Sequence, residues 1–349
     1  MIVMWHFYFH GIYLNPHQQF YFSDSTSIYK FNFFTSEFIA SFLSVCVNCY
    51  VILTGYFMVD TKFKISRLCN ILFQTIFYSV IISFSFYLIK SNISLNDVFK
   101  SLFVLRNNKY WFVTQYIGLA LLSPFLNQMC ENKKKHFVLL VVLIFLNIDI
   151  ILDVPYGILY SGGHQLLFFI LLYLSGAYIK RHLPTIHFSK KDLLLILFVL
   201  CILNVGIRFL KRYIYGEITH GLPFSMFEYN GLSYFMSICF FLYFKTKEFN
   251  NSNINSFLVK VAPYSFGVYL IHDHELMRQL IWNIIYKWYD IFSSPYFLII
   301  VVTTAISIFL ISILIDYSRH LFMRLLHINT LFHKLDKLQI VTLSIFERK

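Results

Sequence analysis

The sequence predicts an all-α protein, a polytopic transmembrane helix bundle of about ten spans, on three observations. Of 349 residues, 58% are hydrophobic and 13% charged, with a mean hydropathy of +0.64, more apolar surface than a soluble core of that length hides. The apolar residues come in stretches near the ~20 residues needed to cross ~30 Å of hydrocarbon. The basic residues sit in short clusters between those stretches, so the net charge of +12 and pI of about 9.3 mark cytoplasmic loops and exclude a nucleic-acid surface.

The predicted spans fall at 1–14, 34–58, 68–89, 110–129, 137–152, 165–180, 193–210, 229–245, 257–275 and 296–316. Segment 276–292 is aromatic and broken by charges, which suits an interfacial helix. Residues Met1 to Leu14 lack a basic leading region and a small-residue cleavage site, so they are not read as a secretory signal. With no long loop between spans, the chain is expected to form a single membrane domain over 1–349.

Lysine and arginine counts set the expected orientation. Placing alternate loops inside collects Lys62, Lys64 and Arg67, then Lys133 to Lys135, Lys180, Arg181, Lys190 and Lys191, then Lys245, Lys247, Lys260 and the basic tail. That is 19 of the 29 basic residues, which puts both termini in the cytoplasm of a multi-pass inner or plasma membrane protein. The six cysteines lie in or beside apolar segments, and Cys46 and Cys49 lack the second pair a zinc site needs. The CVNC segment therefore reads as small-residue helix packing, and no metal is expected.

Ionisable groups inside such spans are costly to insert and point inward, to protein or to a wet cavity. In the first span, His6 and His10 lie four residues apart, one turn apart on one helix face, with Tyr13 continuing the row. In the second, Glu37, Ser41, Ser44 and Asn48 recur at helical spacing, with Gly55 beyond them. In the third, Lys64, Arg67, Asn70, Gln74 and Tyr78 run inward from the cytoplasmic face. Positive charge at that mouth with hydrogen-bonding groups behind it suits an anionic ligand such as the phosphates of a coenzyme A thioester, while topology anchoring accounts equally well for Lys62 and Lys64. The ninth span ends in His272, Asp273, His274 and Glu275, and neighbours on a helix diverge too far for shared metal ligation without help from elsewhere. No HExxH, GxSxG, Walker-type or GxGxxG motif occurs, so metalloprotease, α/β-hydrolase and nucleotide-fold chemistry lack their residues.

The segments VMWHFYFHGIY, NCYVILTGYFMVDTKFKISRL, YWFVTQYIGLALLSPFLN, LLYLSGAYIKRH and APYSFGVYLIHDHELMRQLIW resemble, in order and over nearly the whole chain, successive blocks of the acyltransferase-3 family, in the subgroup acting on surface polysaccharides. The resemblance implies O-acylation, usually O-acetylation, of a sugar hydroxyl. The donor would be cytoplasmic acyl-CoA, with no permanently bound cofactor, and the acceptor a surface glycan or lipid-linked oligosaccharide. It carries two motifs. An arginine, ten residues and a histidine in the family's first span match at His6; the arginine would precede Met1, so the first span is expected to be short at its N-terminal end. A basic pair spaced by two matches Lys64 and Arg67, with lysine where arginine is usual, which keeps the charge but loses the bidentate fork.

The expected mechanism has His6 as general base on the sugar hydroxyl, which attacks the thioester, and Glu37 orienting the imidazole. The donor would bind at Lys64, Arg67, Asn70 and Gln74. A direct transfer without a covalent acyl-enzyme is expected, since no serine or cysteine nucleophile is required. The alternatives are a polysaccharide transporter or polymerase, against which stand the missing long extracytoplasmic loop and internal repeats, and a catalytically silent acyltransferase relative.

Overall fold

The computed structural model describes residues 1–13, 26–89, 92–107, 109–148, 164–183, 188–214, 231–246, 252–286 and 291–328, together with 334 and 336. All regular structure among them is helical. The α-helices are α1 (Ile2–His6), α2 (Ser27–Leu43), α3 (Val45–Met58), α4 (Ile65–Leu88), α5 (Leu95–Lys100), α6 (Trp111–Met129), α7 (Lys133–Leu146) and α8 (Leu166–His182). They continue with α9 (Lys190–Ile214), α10 (Gly231–Thr246), α11 (Ser252–Val261), α12 (Ser265–His272), α13 (Glu275–Tyr286) and α14 (Phe297–Leu325). The chain is an all-α membrane protein.

Five described stretches are long and apolar enough to cross a bilayer: Ser27–Met58, Ile65–Leu88, Lys190–Leu210, Asn253–His272 and Phe297–Leu325. The first begins before the expected 34 because Thr26 caps it, its hydroxyl accepting from Tyr29 N at 3.2 Å. Helices α6, α7, α8 and α10 stand where further spans were expected, but are shorter or more polar; α6 carries Thr114, Gln115, Ser123 and Asn127, with Pro124 inside it. The ninth span is interrupted by a 3₁₀ turn at Ala262–Tyr264, where Pro263 withholds an N–H, and it stops at His272 rather than 275. The expected interfacial segment forms α13; its residues 287–290, the ends of two expected spans (149–152 and 229–230) and the stretch Asn15–Gln19 lie outside the described residues.

The helices gather into two compact units. The first comprises Met1–Thr61, Leu122–Asn250 and Ile281–Ala305. In it α3 and α8 cross with their backbones touching: a Cβ at Gly55 would overlap the Tyr173 carbonyl oxygen, and one at Gly176 the Ile52 carbonyl oxygen. Small residues at such a crossing let main chains approach where lipid supplies no hydrophobic drive. At the end of this crossing Arg181 donates to the carbonyl oxygens of Val59 and Asn127, both at 2.9 Å, and to Asp60 at 3.0 Å. A basic residue of an expected cytoplasmic loop thus satisfies the exposed carbonyls of two helix ends.

The second unit comprises Lys62–Leu121, Asn251–Leu280 and Ile306–Lys349. Its core joins Tyr78 and Ile82 of α4, Tyr110 and Val113, and Leu270 and Ile271 of α12, with the Tyr110 hydroxyl donating to Leu270 O at 2.9 Å. Only 17% of the most apolar window of α14 is buried, against 56% for Ser27–Met58, so α14 presents an apolar wall while α2 and α3 turn polar side chains inward.

Candidate active site

In the first unit the N-terminal segment starts as α1 and continues as a π-helix over Phe7–Tyr13. His6 is the last α-helical residue, at the change of helical register. π-Helical turns are rare, because the i→i+5 pattern widens the helix, and they recur at functional sites. His6 is buried, at 6% exposure, and its ring meets that of His10 edge-on at 5.2 Å, so the i,i+4 pairing read from the sequence is present. Phe7 packs on Trp282 at 5.9 Å and Tyr8 on Phe297 at 6.4 Å. Aromatic contacts on the neighbouring residues thus fix the rotation of the segment that carries His6.

Helix α1 packs against α2, and α2 brings the polar row. Glu37, Ser41, Ser44 and Asn48 are all buried, as their spacing implies. Asn204 of α9 donates to Ser41 Oγ at 2.9 Å, Ser41 to Cys201 O at 3.5 Å, Ser44 to Ser41 O at 2.7 Å, and Asn48 to Ser233 Oγ of α10 at 3.5 Å. The N-terminal half of α2 is held separately, by Asn32 donating to Phe292 O at 2.6 Å and Ser294 O at 2.8 Å.

Helix α9 runs antiparallel to α2. Phe33 and Phe34 meet Phe209, at 6.1 and 5.3 Å, while Phe38 meets Phe198 at 5.9 Å and the Cys201 thiol. Stepping one turn from the Asn204–Ser41 bond, back along α2 and on along α9, reaches Glu37 and Arg208. Glu37 is fully buried and Arg208 is 1% exposed, with Nε and Nη1 sealed from solvent. Burying a guanidinium and a carboxylate at one level of a helix pair is tolerable only where each charge is compensated. Arg208 was missed in the sequence, although it falls within the expected span 193–210. Its signal was an arginine within the NVGIRFL run, apolar on both sides.

The second unit holds the residues expected to contact the donor. Lys64 is the N-cap of α4 and Arg67 lies in its first turn; both are exposed, as is Asn70. Gln74 is occupied: its Nε2 donates to Asp316 Oδ1 at 3.0 Å. Tyr78 donates to the same oxygen at 2.7 Å, and Arg319 reaches Oδ1 at 2.7 Å and Oδ2 at 3.3 Å. A Cβ at Gly267 would overlap the Asp316 carboxyl group, so glycine lets α12 lie directly over this cluster. At the start of α4, Asp336 accepts from Ser66 N at 2.9 Å and Ser66 Oγ at 2.7 Å. A carboxylate therefore sits on the helix N-terminus beside the basic pair.

The HDHE cluster diverges as its spacing implies: His272 turns back to Val268 O, Asp273 lies 3.9 Å from Arg278 Nε, and His274 Nδ1 accepts from Leu276 N at 3.2 Å. The model of an acyltransferase domain, acyltransferase-3, matches residues 1–315. The chain belongs to the acyltransferase-3 family. This membrane acyltransferase matches no curated protein and no solved structure in the other two comparisons. Membership selects acyl transfer over the transporter and polymerase alternatives, and the match spans His6, Glu37, Lys64, Arg67, Asn70 and Gln74.

Proposed function

We propose that this acyltransferase moves an acetyl group from acetyl-CoA to a sugar hydroxyl of a cell-surface polysaccharide or its lipid-linked precursor, in the cell membrane with both termini cytoplasmic. The observation that carries this reading is His6, a buried imidazole at an α-to-π junction, on a helix packed against the helix of Glu37, in a chain whose family performs acyl transfer.

In this mechanism His6 takes the proton of the sugar hydroxyl as its oxygen attacks the thioester carbonyl. The C–S bond breaks, an ester C–O bond forms, and the departing thiolate receives the proton from the imidazolium, so charge and protons balance. A neutral imidazole is the form that accepts this proton, and general base catalysis of this kind contributes ~100- to 10,000-fold. Glu37 is a positioning residue for the imidazole. Arg208, one turn beyond the Asn204–Ser41 bond on α9, brings a positive charge to the level of Glu37, the kind of compensation a buried carboxylate needs. Lys64, Arg67 and Asn70 form the basic mouth for donor phosphates, while Gln74 is committed to the structural cluster around Asp316.

The test is transfer of labelled acetyl from acetyl-CoA to surface glycan in membranes containing the protein. Ester label that appears with wild type and not with His6→Ala, at equal abundance, supports the reading. Label on lipid or protein instead of glycan would overturn the acceptor, and no label at all would overturn acetyl transfer.

A further inference from the structure

The second unit contains a cavity of about 440 Å³ that no part of the proposed chemistry uses. It lies at the end of α4 far from the basic mouth: Ser83 lines it, about 24 Å along the helix from Arg67 at ~1.5 Å per residue. Its size is that of a small-molecule site, but its lining is highly charged, with Lys100, Lys109 and Arg278 on one side of the ledger and Asp97 and Glu275 on the other.

Those charges are not equivalent. Asp97 is already committed: its Oδ2 accepts from Ser94 N and Ser94 Oγ in the cap of α5, and its Oδ1 from Lys100 Nζ at 3.3 Å. The Ser94 hydroxyl and backbone N–H, with Lys100 behind them, hold its carboxyl down at about 2. Arg278 has Asp273 at 3.9 Å, beyond hydrogen-bond length. Burial depresses the Lys109 ammonium below its ordinary value, a desolvation that the Glu275 and Asp97 charges offset only in part. Glu275 itself is exposed. His274, 2% exposed, also lines the cavity, and its Nδ1 accepts from Leu276 N. That bond leaves Nε2 as the nitrogen that carries the proton of the neutral ring.

We propose that this cavity is a binding site for an anionic saccharide, with Lys109 and Arg278 holding its carboxylate or phosphate and Asn107 and Glu275 meeting its hydroxyls. Two incompletely compensated cations in a partly dry cavity favour one added negative charge, and the mixed donors and acceptors around them suit a polyol, whose hydroxyls do both. In the proposed orientation the far end of α4 faces outside, and the ligand is the acyl acceptor; that assignment alone rests on the acetyltransferase reading.

Equilibrium binding to the purified full chain tests this with three probes: glucuronate, glucose 1-phosphate and glucose. At least one of the two acids is expected to bind at least tenfold more tightly than glucose, and more weakly as salt is raised; the stronger acid identifies the anionic group. Lys109→Gln and Arg278→Gln should each weaken that acid about tenfold while leaving coenzyme A binding unchanged. Glucose binding as well as both acids, acid binding indifferent to both substitutions, displacement of the acid by coenzyme A, or no binding of any probe would each overturn the site. A protein that binds the acid through Lys109 and Arg278 but transfers no acetyl keeps the site and loses the catalytic reading.

Discussion

Among the described residues, Glu37 in the first unit and Asp316 in the second are fully buried carboxylates, and their surroundings differ in kind. Asp316 is saturated: a glutamine, a tyrosine and an arginine from its own helix occupy both oxygens, and Gly267 admits the backbone that closes over it. Such a group joins α4 to α14 and has no capacity left for a substrate. Glu37 heads a row of hydroxyls and amides on a helix packed against that of His6, with Arg208 one turn beyond the Asn204–Ser41 bond. Burial alone therefore does not mark a working carboxylate. A saturated one fixes structure, whereas one on a helix packed against that of a titratable ring is the candidate to position that ring.

The largest effect that sharpens this contrast is expected at His6. His6→Ala should lower acetyl transfer by ~100- to 10,000-fold, the range of a lost general base, with membrane abundance unchanged. Labelled-acetyl rates normalised to immunoblotted protein measure it. A loss below about tenfold would move the base elsewhere, with His10 the next residue to replace.

Asp316→Ala should act on the other side of the comparison. Removing one member of a buried ionic cluster leaves Arg319 uncompensated and costs about 3–5 kcal/mol, so the variant should melt earlier and accumulate less. The transfer rate per folded molecule should stay within about twofold to threefold, in the range of ordinary context effects rather than of lost chemistry. A stable but inactive Asp316→Ala protein would break the comparison.

The pair on α2 and α9 is expected to fall between these. Arg208→Gln should lower both stability and the maximal rate, because it leaves the buried carboxylate of Glu37 without the positive charge at its level of the helix pair. The double variant Glu37→Gln, Arg208→Gln should be more stable than either single one, since it buries no lone charge. Additive losses of stability would mean that the two side chains do not interact.

These pairings also show what the sequence can and cannot disclose. Hydropathy reports the membrane directly, and helical spacing within one span reports a shared face, so the all-α class and the buried row Glu37, Ser41, Ser44 and Asn48 were legible. So was the adjacency of His6 and His10. Arg208 and Asp316 were not, because each sits alone near the end of an apolar run and reads there as a boundary charge. The contacts that place them cross the sequence, Gln74 and Tyr78 with Asp316 and Asn204 with Ser41 one turn from Arg208, and no local period encodes a contact of that separation. Gln74 illustrates the same limit: its helical spacing grouped it with Arg67, while the acceptor it serves lies on α14.

The smallest expected effects concern the mouth of α4, where Asp336 occupies Ser66 N and Oγ. The first turn of a helix offers unsatisfied N–H groups and a positive dipole end, which favour any anion that reaches them, a carboxylate of the same chain or a donor phosphate. If acyl-CoA uses Lys64 and Arg67, the two anions compete. Arg67→Ala should then raise the Michaelis constant for acetyl-CoA several-fold with little change in maximal rate, the mark of binding shared by ground and transition states. Asp336→Asn should lower it by about tenfold at most, because a neutral amide still accepts one hydrogen bond but no longer opposes phosphate through charge. The two substitutions should therefore move the constant in opposite directions while leaving the pH profile set by His6 in place. A rise with Asp336→Asn would show instead that the carboxylate is needed to hold the start of α4 in shape, and an unchanged constant in both variants would remove this end of the helix from the donor path.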